Sequence, residues 1–430
     1  MQKVFRRALT ALLIVTCVLT AAIVGATVKL YTATAEDYAN EVESQDIAKL
    51  RARDKAIKKA TKQAGVYLQN YSRSVNSELT DDEILAITSN AWQLVGEPKY
   101  TRTLKQISDE TTIIVWTASV EVNVDDAEIK SWLKRDDKDK STIISQTREA
   151  QKVAEENDKK IEDLREKYNR ATSQAEKDNI IKQMNDADRD FLANQKLEEG
   201  LKLHYKENYN SAIKLYNEAL QLNPNLWYAY NNRGLAYDYL GQYERAIQDF
   251  SNAIALNHDD NTAYINRGGL YEELGNYNQA IQDFNKAILI NPKDSQAYTN
   301  RGSVYHLLGQ SELAIQDCNK AIYLNPNEVL AYTNRGAIYY DLGQSENAIR
   351  DYDKAIQLNP NFVLAYVNRC NAYANLGQYK QAIQDCNKAI ELNKNLAVVY
   401  YIRGYCYQEL GDEVKAQADF AKAKQLGYDG

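Results

Sequence analysis

The string Asn-Arg-Gly recurs at residues 232, 266, 300 and 334, becomes Asn-Arg-Cys at 368 and Ile-Arg-Gly at 402, and the step is always 34 residues. Seven such steps counted from Ala193 reach Gly430. A period of this length means one supersecondary unit repeated in tandem. No unit can bury its apolar face alone, so neighbours must stack into a continuous core. Each unit reads as two helical stretches. A glycine, Gly241 in the second repeat through Gly411 in the seventh, suits the left-handed turn after the first stretch, and Pro224, Pro292, Pro326 and Pro360 end the second. The 32 tyrosines and 5 prolines of the chain follow from a helical unit with tyrosine at fixed places.

Counted from the first residue of each repeat, position 8 is Gly200, Gly234, Gly268, Gly302, Gly336, Cys370 and Gly404, and position 20 is alanine from Ala212 to Ala416. Small residues at both places let two helices approach closely. Tyrosines at position 4 (Tyr230 to Tyr400) and position 11 (Tyr237 to Tyr407) are expected to fill the wider part of the wedge. This period and pattern are identified as those of the tetratricopeptide repeat. The resemblance implies a mainly α chain whose C-terminal part is an α-solenoid, wound as a right-handed superhelix with a concave groove. In the seventh repeat Gln417 and Lys424 replace the apolar residues that face the next hairpin, giving the polar outer face of a C-terminal cap.

Position 7 departs from the family pattern. It is Arg233, Arg267, Arg301, Arg335, Arg369 and Arg403, while position 23 is Asp249, Asp283, Asp317, Asp351, Asp385 and Asp419. In repeat one both are absent together, replaced by Glu199 and Leu215. A partly buried arginine needs a carboxylate partner, so these residues are expected to form an Arg–Asp ladder within or between repeats. A charged ligand site is the lesser alternative.

By family geometry position 6 faces the groove. It is Asn232, Asn266, Asn300, Asn334 and Asn368, flanked by Glu198 and Ile402. A carboxamide both donates and accepts, so a regular row can pair with the backbone of an extended peptide whatever its sequence. The row is similar to the asparagine ladder in the repeat domain of O-linked N-acetylglucosamine transferase. It is unlike the carboxylate-clamp members, because the neighbouring groove positions carry no Lys or Arg. They carry Tyr228, Asp238, Glu272, Tyr340 and Asp341 among others, so a neutral to basic segment is the expected ligand. The rival reading is that the asparagines are inherited through duplication alone.

Upstream, residues 27–135 read as a small α+β domain: a strand at 28–35, a long helix at 46–71, a helix opened by the capping-box pair Thr80 and Glu83, a hairpin of strands at 99–107 and 111–124, and a last helix holding Ile129, Trp132 and Leu133. The run at 51–72 and the hairpin loosely resemble a domain of small bacterial envelope lipoproteins and of the N-terminal part of the flagellar protein FlgT. That resemblance implies export and no catalysis. Residues 136–192 form a charged helical linker whose Ile181/Met184 face and Phe191 are expected to cover the first repeat.

Lys3, Arg6 and Arg7 precede an apolar run from Ala8 to Val24, and no acidic residue occurs before Glu36. This is the order of a secretory signal over residues 1–26, with cleavage after Ala26; an uncleaved membrane anchor spanning about residues 8–28 is the alternative. The net charge of −7 argues against a nucleic-acid partner. Cys318, Cys370, Cys386 and Cys406 fall on buried repeat positions and are expected to pack as small hydrophobes. An oxidising compartment would allow pairing among the last three. With three scattered histidines they complete no metal set, and no cofactor is expected.

No nucleophile elbow and no glycine-rich phosphate loop is present, so an enzyme is not expected. The expected function is an envelope scaffold that binds peptide or protein segments in the groove. The alternative is an architectural protein whose repeats only space or oligomerise the N-terminal domain.

Overall fold

The computed structural model describes residues 28–39, 43–74, 79–90, 92–106, 112–125, 131–132, 135 and 137–428. The basic and apolar N-terminal run, the turn at 108–110 and most of the helix expected around residue 129 lie outside them. Trp132 is described and is fully buried. The chain divides into two compact units, Met1–Leu240 and Gly241–Gly430.

In the first unit a long central strand, β4 (Thr112–Asp125), pairs antiparallel along its length with β1 (Val28–Ala39). Its other edge takes β3 (Lys99–Gln106) and the short β2 (Gln93–Leu94). Helix α1 (Gln45–Ser74) lies on one face, where Ala52, Ala56, Ile57 and Ala60 meet Ala33, Ala118, Val120 and Val122. Alanines at intervals of four put the smallest side chains on one stripe, so helix and sheet approach closely. Helix α2 (Asp81–Asn90) opens on the expected capping box, with Glu83 N–H donating to Thr80 Oγ1 at 3.2 Å and Thr80 N–H to Glu83 Oε2 at 2.8 Å.

Strand β1 runs four residues past its expected end at Ala35, because the buried Asp37 that breaks the apolar alternation has a cationic partner. Arg165 on α3 (Asp137–Arg170) donates to Asp37 at 3.0 Å and to Glu43 at 2.9 Å. Arg51 joins Glu43 at 3.0 Å and also reaches Asp188 on α4 (Gln174–Tyr205).

The charged stretch is therefore not a separate spacer. The expected boundary at 192/193 falls inside α4, which is one continuous helix from the linker into repeat one. The coverage expected of the linker is also corrected. Met184 packs with Ile180 against Ile161 and Leu164 of α3, closing a helical hairpin, and Phe191 lies under the Arg51 guanidinium, 5.5 Å away. Repeat one is completed by α5 (Tyr209–Leu222), and α6 (Trp227–Tyr239) is the first helix of repeat two.

The second unit begins with α7 (Tyr243–Leu256) and continues as helix pairs of a solenoid. These are α8 (Asn261–Glu273) with α9 (Tyr277–Ile290), α10 (Ser295–Leu307) with α11 (Ser311–Leu324), and α12 (Val329–Asp341) with α13 (Ser345–Leu358). The last two pairs are α14 (Val363–Asn375) with α15 (Tyr379–Leu392), and α16 (Ala397–Glu409) with α17 (Glu413–Gln425). The turn glycine between paired helices has positive φ, 75° at Gly275 for example, whereas repeat one places Glu207 there at 60°.

Candidate functional site

Position 7 faces the second helix of its own hairpin. Arg267, Arg301, Arg335, Arg369 and Arg403 each donate two hydrogen bonds, from Nε and Nη2, to the two carboxylate oxygens of Asp283, Asp317, Asp351, Asp385 and Asp419, at 2.6 to 2.8 Å. The remaining nitrogen, Nη1, reaches back to position 25 of the preceding repeat. It meets Ser251 at 2.9 Å, Asn285 at 2.6 Å, Asn319 at 2.5 Å, Asp353, and Asn387 at 2.6 Å. In the first compact unit Arg233 meets Asn217 in the same way at 2.5 Å.

Tyrosines at positions 4 and 11 flank the guanidinium. Arg301 lies 5.6 Å from the Tyr298 ring centroid and 5.7 Å from that of Tyr305. Positions 4, 7 and 11 stand three and four residues apart, so they share one helix face. The tyrosines thus wall a charge as well as filling the wedge. This arrangement ties hairpin to hairpin and engages all three guanidinium nitrogens within the array. The position-25 acceptors were missed in the sequence. Their signal was present, for position 25 is Asn, Ser or Asp in repeats one to six and Ala421 in repeat seven.

The position-6 asparagines divide into two groups. Asn300, Asn334 and Asn368 are half-buried, and their carboxamides have no hydrogen-bond partner among the described residues, whereas Asn266 is already engaged. Around them the expected acidic positions are partly spoken for. Glu272 accepts from Ser303 Oγ at 2.6 Å and Asp341 pairs with His306 Nε2 at 2.7 Å. Tyr340 is half-buried, packed with the cluster of Ala348, Tyr352 and Ala372. Position 2 is apolar and open late in the array, Leu364 being 48 % and Val398 36 % exposed, and Tyr401 and Tyr405 are also exposed.

Nearer the N-terminus the expected groove residues are closed off, which corrects two of them. Asn232 is 3 % exposed, and Tyr228 is buried with its hydroxyl donating to Asn194 Oδ1. Asp238 is half-buried and engaged. Over Tyr228 the cover is α3: Ala150 and Val153 pack into the cluster that holds Leu197, Leu201 and Tyr228. One turn further along, Ala154, Asn157 and Asp158 line a narrow cavity with Asn194, Gln195 and Glu198 of α4 and with Asp54 and Lys58 of α1.

Burial, then the neighbouring Asp54, pushes the Glu198 carboxyl up to about 7. Burial pulls the Lys202 ammonium down to about 8 against the pull of Glu198. Lys58 is held above its ordinary range, burial notwithstanding, by Asp54 and Glu198. His204, at the far end of α4, is driven down to about 4 by burial and by Arg135, so it is neutral. Among the described residues no helix is long and apolar enough to cross a membrane.

Profiles of the tetratricopeptide repeat match residues 227–260, 262–294, 295–328, 329–362 and 363–396, with related repeat profiles at 200–238 and 397–426. The N-terminal resemblance to the FlgT-type domain finds no counterpart in these matches. No curated protein matches the chain. Among solved structures, a tetratricopeptide repeat protein from Parabacteroides merdae is 24 % identical, over 55 % of this chain and 94 % of that one, with a TM-score of 0.46. The MamA protein is 26 % identical over 40 % of this chain and 94 % of its own, with a TM-score of 0.34. YrrB, described as having an unusual peptide-binding site, is 23 % identical over 43 % and 95 %, also with a TM-score of 0.34. With the matched repeats covering more than half of its length and the helix pairs laid out as above, the chain belongs to the tetratricopeptide repeat family, whose arrays serve as protein-binding scaffolds.

Proposed function

We propose that the protein is an exported, non-enzymatic scaffold of the cell envelope that binds an extended, neutral to basic protein segment. The binding surface is the first-helix face of repeats four to seven. The observation that carries this reading is the row of half-buried, unpartnered carboxamides at Asn300, Asn334 and Asn368, repeated at a fixed step. A half-buried amide without a partner is costly unless a ligand or water satisfies it, and a peptide backbone offers donor and acceptor together. The apolar positions Leu364 and Val398 and the rings of Tyr401 and Tyr405 supply contact area beside the row. Export is supported by the Lys/Arg-then-apolar order of residues 3–24. Because Tyr228 and Asn232 are buried, the ligand-binding face starts C-terminal to them.

The test is a fluorescence-polarisation screen of unstructured peptides graded in net charge against the full chain. The triple variant Asn300→Ala/Asn334→Ala/Asn368→Ala should bind the best neutral or basic peptide at least tenfold more weakly. Equal binding by a variant with unaltered circular dichroism would leave the row as inheritance alone.

A further inference from the structure

Position 8 of the first helix meets position 24 of the second across the hairpin. Where position 8 is glycine and position 24 aromatic, the approach is so close that no side chain fits. A Cβ on Gly268 would stand 2.7 Å from the Phe284 ring, and one on Gly336 2.6 Å from Tyr352. In repeat four the second partner is Cys318, and a Cβ on Gly302 would stand 3.3 Å from its Sγ. A cysteine at position 8 therefore projects its sulfur straight at a cysteine at position 24. Repeat six has both. The Cys370 and Cys386 sulfurs are 2.9 Å apart, and both residues are fully buried.

We infer that Cys370 and Cys386 form a disulfide that joins the two helices of repeat six. The separation is already closer than ordinary packing of side chains and within about 1 Å of the disulfide bond length of about 2.05 Å. The oxidant is a carrier disulfide of the thiol-exchange class. One cysteine thiolate attacks it to give a mixed disulfide, and the second displaces the carrier. The two electrons and two protons of the protein dithiol end on the carrier, which leaves as its own dithiol.

Timing follows from burial. The thiolate is the nucleophile, and the hydrogen bond between the two sulfurs, then burial, holds the Cys370 thiol well above its ordinary range. The packed dithiol is therefore inert, and the bond forms while the hairpin is still open. Once formed it is shielded from reductants by the same packing. Cys318 faces a glycine, and Cys406 sits in a separate cluster with Ala374 and Ala382, so both remain thiols. The inference is independent of the groove reading. The export reading supplies an oxidising compartment, but the experiment below provides the oxidant itself.

The full chain is unfolded under reduction, refolded in mixed oxidised and reduced glutathione, and alkylated in denaturant with N-ethylmaleimide. Trypsin cuts after Arg369, Lys380 and Lys388, so the two cysteines lie on separate peptides, and unreduced digests are read by mass spectrometry. The expected product is peptide 370–380 joined to 381–388, with Cys318 and Cys406 alkylated. The chain-entropy cost of closing a loop of about 15 residues predicts an unfolding constant on the order of 100-fold smaller for the oxidised form. Cys370→Gly reproduces the Gly302/Cys318 arrangement of repeat four, so it should fold and lose both the link and the dependence on reductant. Complete alkylation of Cys370 and Cys386 after refolding, or a Cys386–Cys406 link instead, overturns the inference.

Discussion

Arg301 holds Asp317 through two parallel hydrogen bonds of 2.7 and 2.8 Å and, with its third nitrogen, holds Asn285 of the preceding repeat. The pair is largely withdrawn from water, with side-chain exposures of 18 % and 9 %. Removing the carboxylate leaves a guanidinium walled by two tyrosines and without its main partner. Asp317→Ala should therefore cost about 2–4 kcal/mol, against about 0–1 kcal/mol for an exposed ion pair. Asn285→Ala removes one bond at a more exposed place and should cost about 1 kcal/mol. Urea unfolding checks both; a change for Asp317→Ala within the range of a surface pair would contradict the geometry.

How much of this was legible in the sequence depended on whether a residue's role repeats. The hairpins, their turn glycines and the Arg/Asp pairing are written out many times over, and the joint loss of both partners as Glu199 and Leu215 links the two positions. The cover that α3 lays over Tyr228 is written once, in small residues such as Ala150 and Val153 within a charged stretch. Helical periodicity reveals a stripe of that kind but not what it packs against. The Cys370–Cys386 contact lay between these cases, since both cysteines were legible as buried and the opposition of positions 8 and 24 was not.

Glu207 occupies the turn position that glycine fills in the other repeats, at a φ of 60°. A left-handed conformation costs a residue with a Cβ roughly 1–2 kcal/mol that glycine does not bear. Its own carboxylate contributes little, being largely exposed and 3.7 Å from Arg135. Glu207→Gly should then stabilise the first compact unit by up to about 1 kcal/mol, after allowance for the greater freedom of glycine in the unfolded chain. A lower unfolding midpoint in urea would show that the Arg135 contact outweighs the strain.

Glu198 gives the cavity under α3 a pH dependence with a defined sign. Its folded pKa of about 7 is above the ordinary value of 4.5, so the folded state binds the extra proton. The contribution is fully present below the ordinary value and is lost as pH rises through about 7. Lys202, depressed to about 8, acts in the other direction at higher pH, where stability is regained as the solution passes its folded value. Glu198→Gln removes the first effect. Between pH 5 and pH 7.5 the variant should gain on the wild type by about 1–3 kcal/mol. A difference between the two proteins that stays constant over that interval would show that Glu198 titrates normally.

Arg165 is the residue through which α3 is fastened to the sheet. It is 1 % exposed, it bonds Asp37 and Glu43, and its guanidinium lies 4.0 Å from the Tyr38 ring centroid. Asp37 and Glu43 are themselves buried and would keep only Lys55 at 3.4 Å and Arg51 at 3.0 Å, so Arg165→Met leaves both carboxylates under-compensated and should destabilise by about 3–5 kcal/mol. The cost lies in the under-compensated buried charges more than in lost attraction. The combined variant Arg165→Met/Asp37→Asn/Glu43→Gln should therefore recover much of it, although Arg51 then loses one of its two carboxylates. Because α3 is also the cover over Tyr228, the single variant should expose that side chain. Hydrogen exchange in residues 143–165 and 228–232 should rise together in Arg165→Met and fall back in the triple variant. Exchange that rises in α3 alone would mean that the helix covers the repeat without being held there by Arg165.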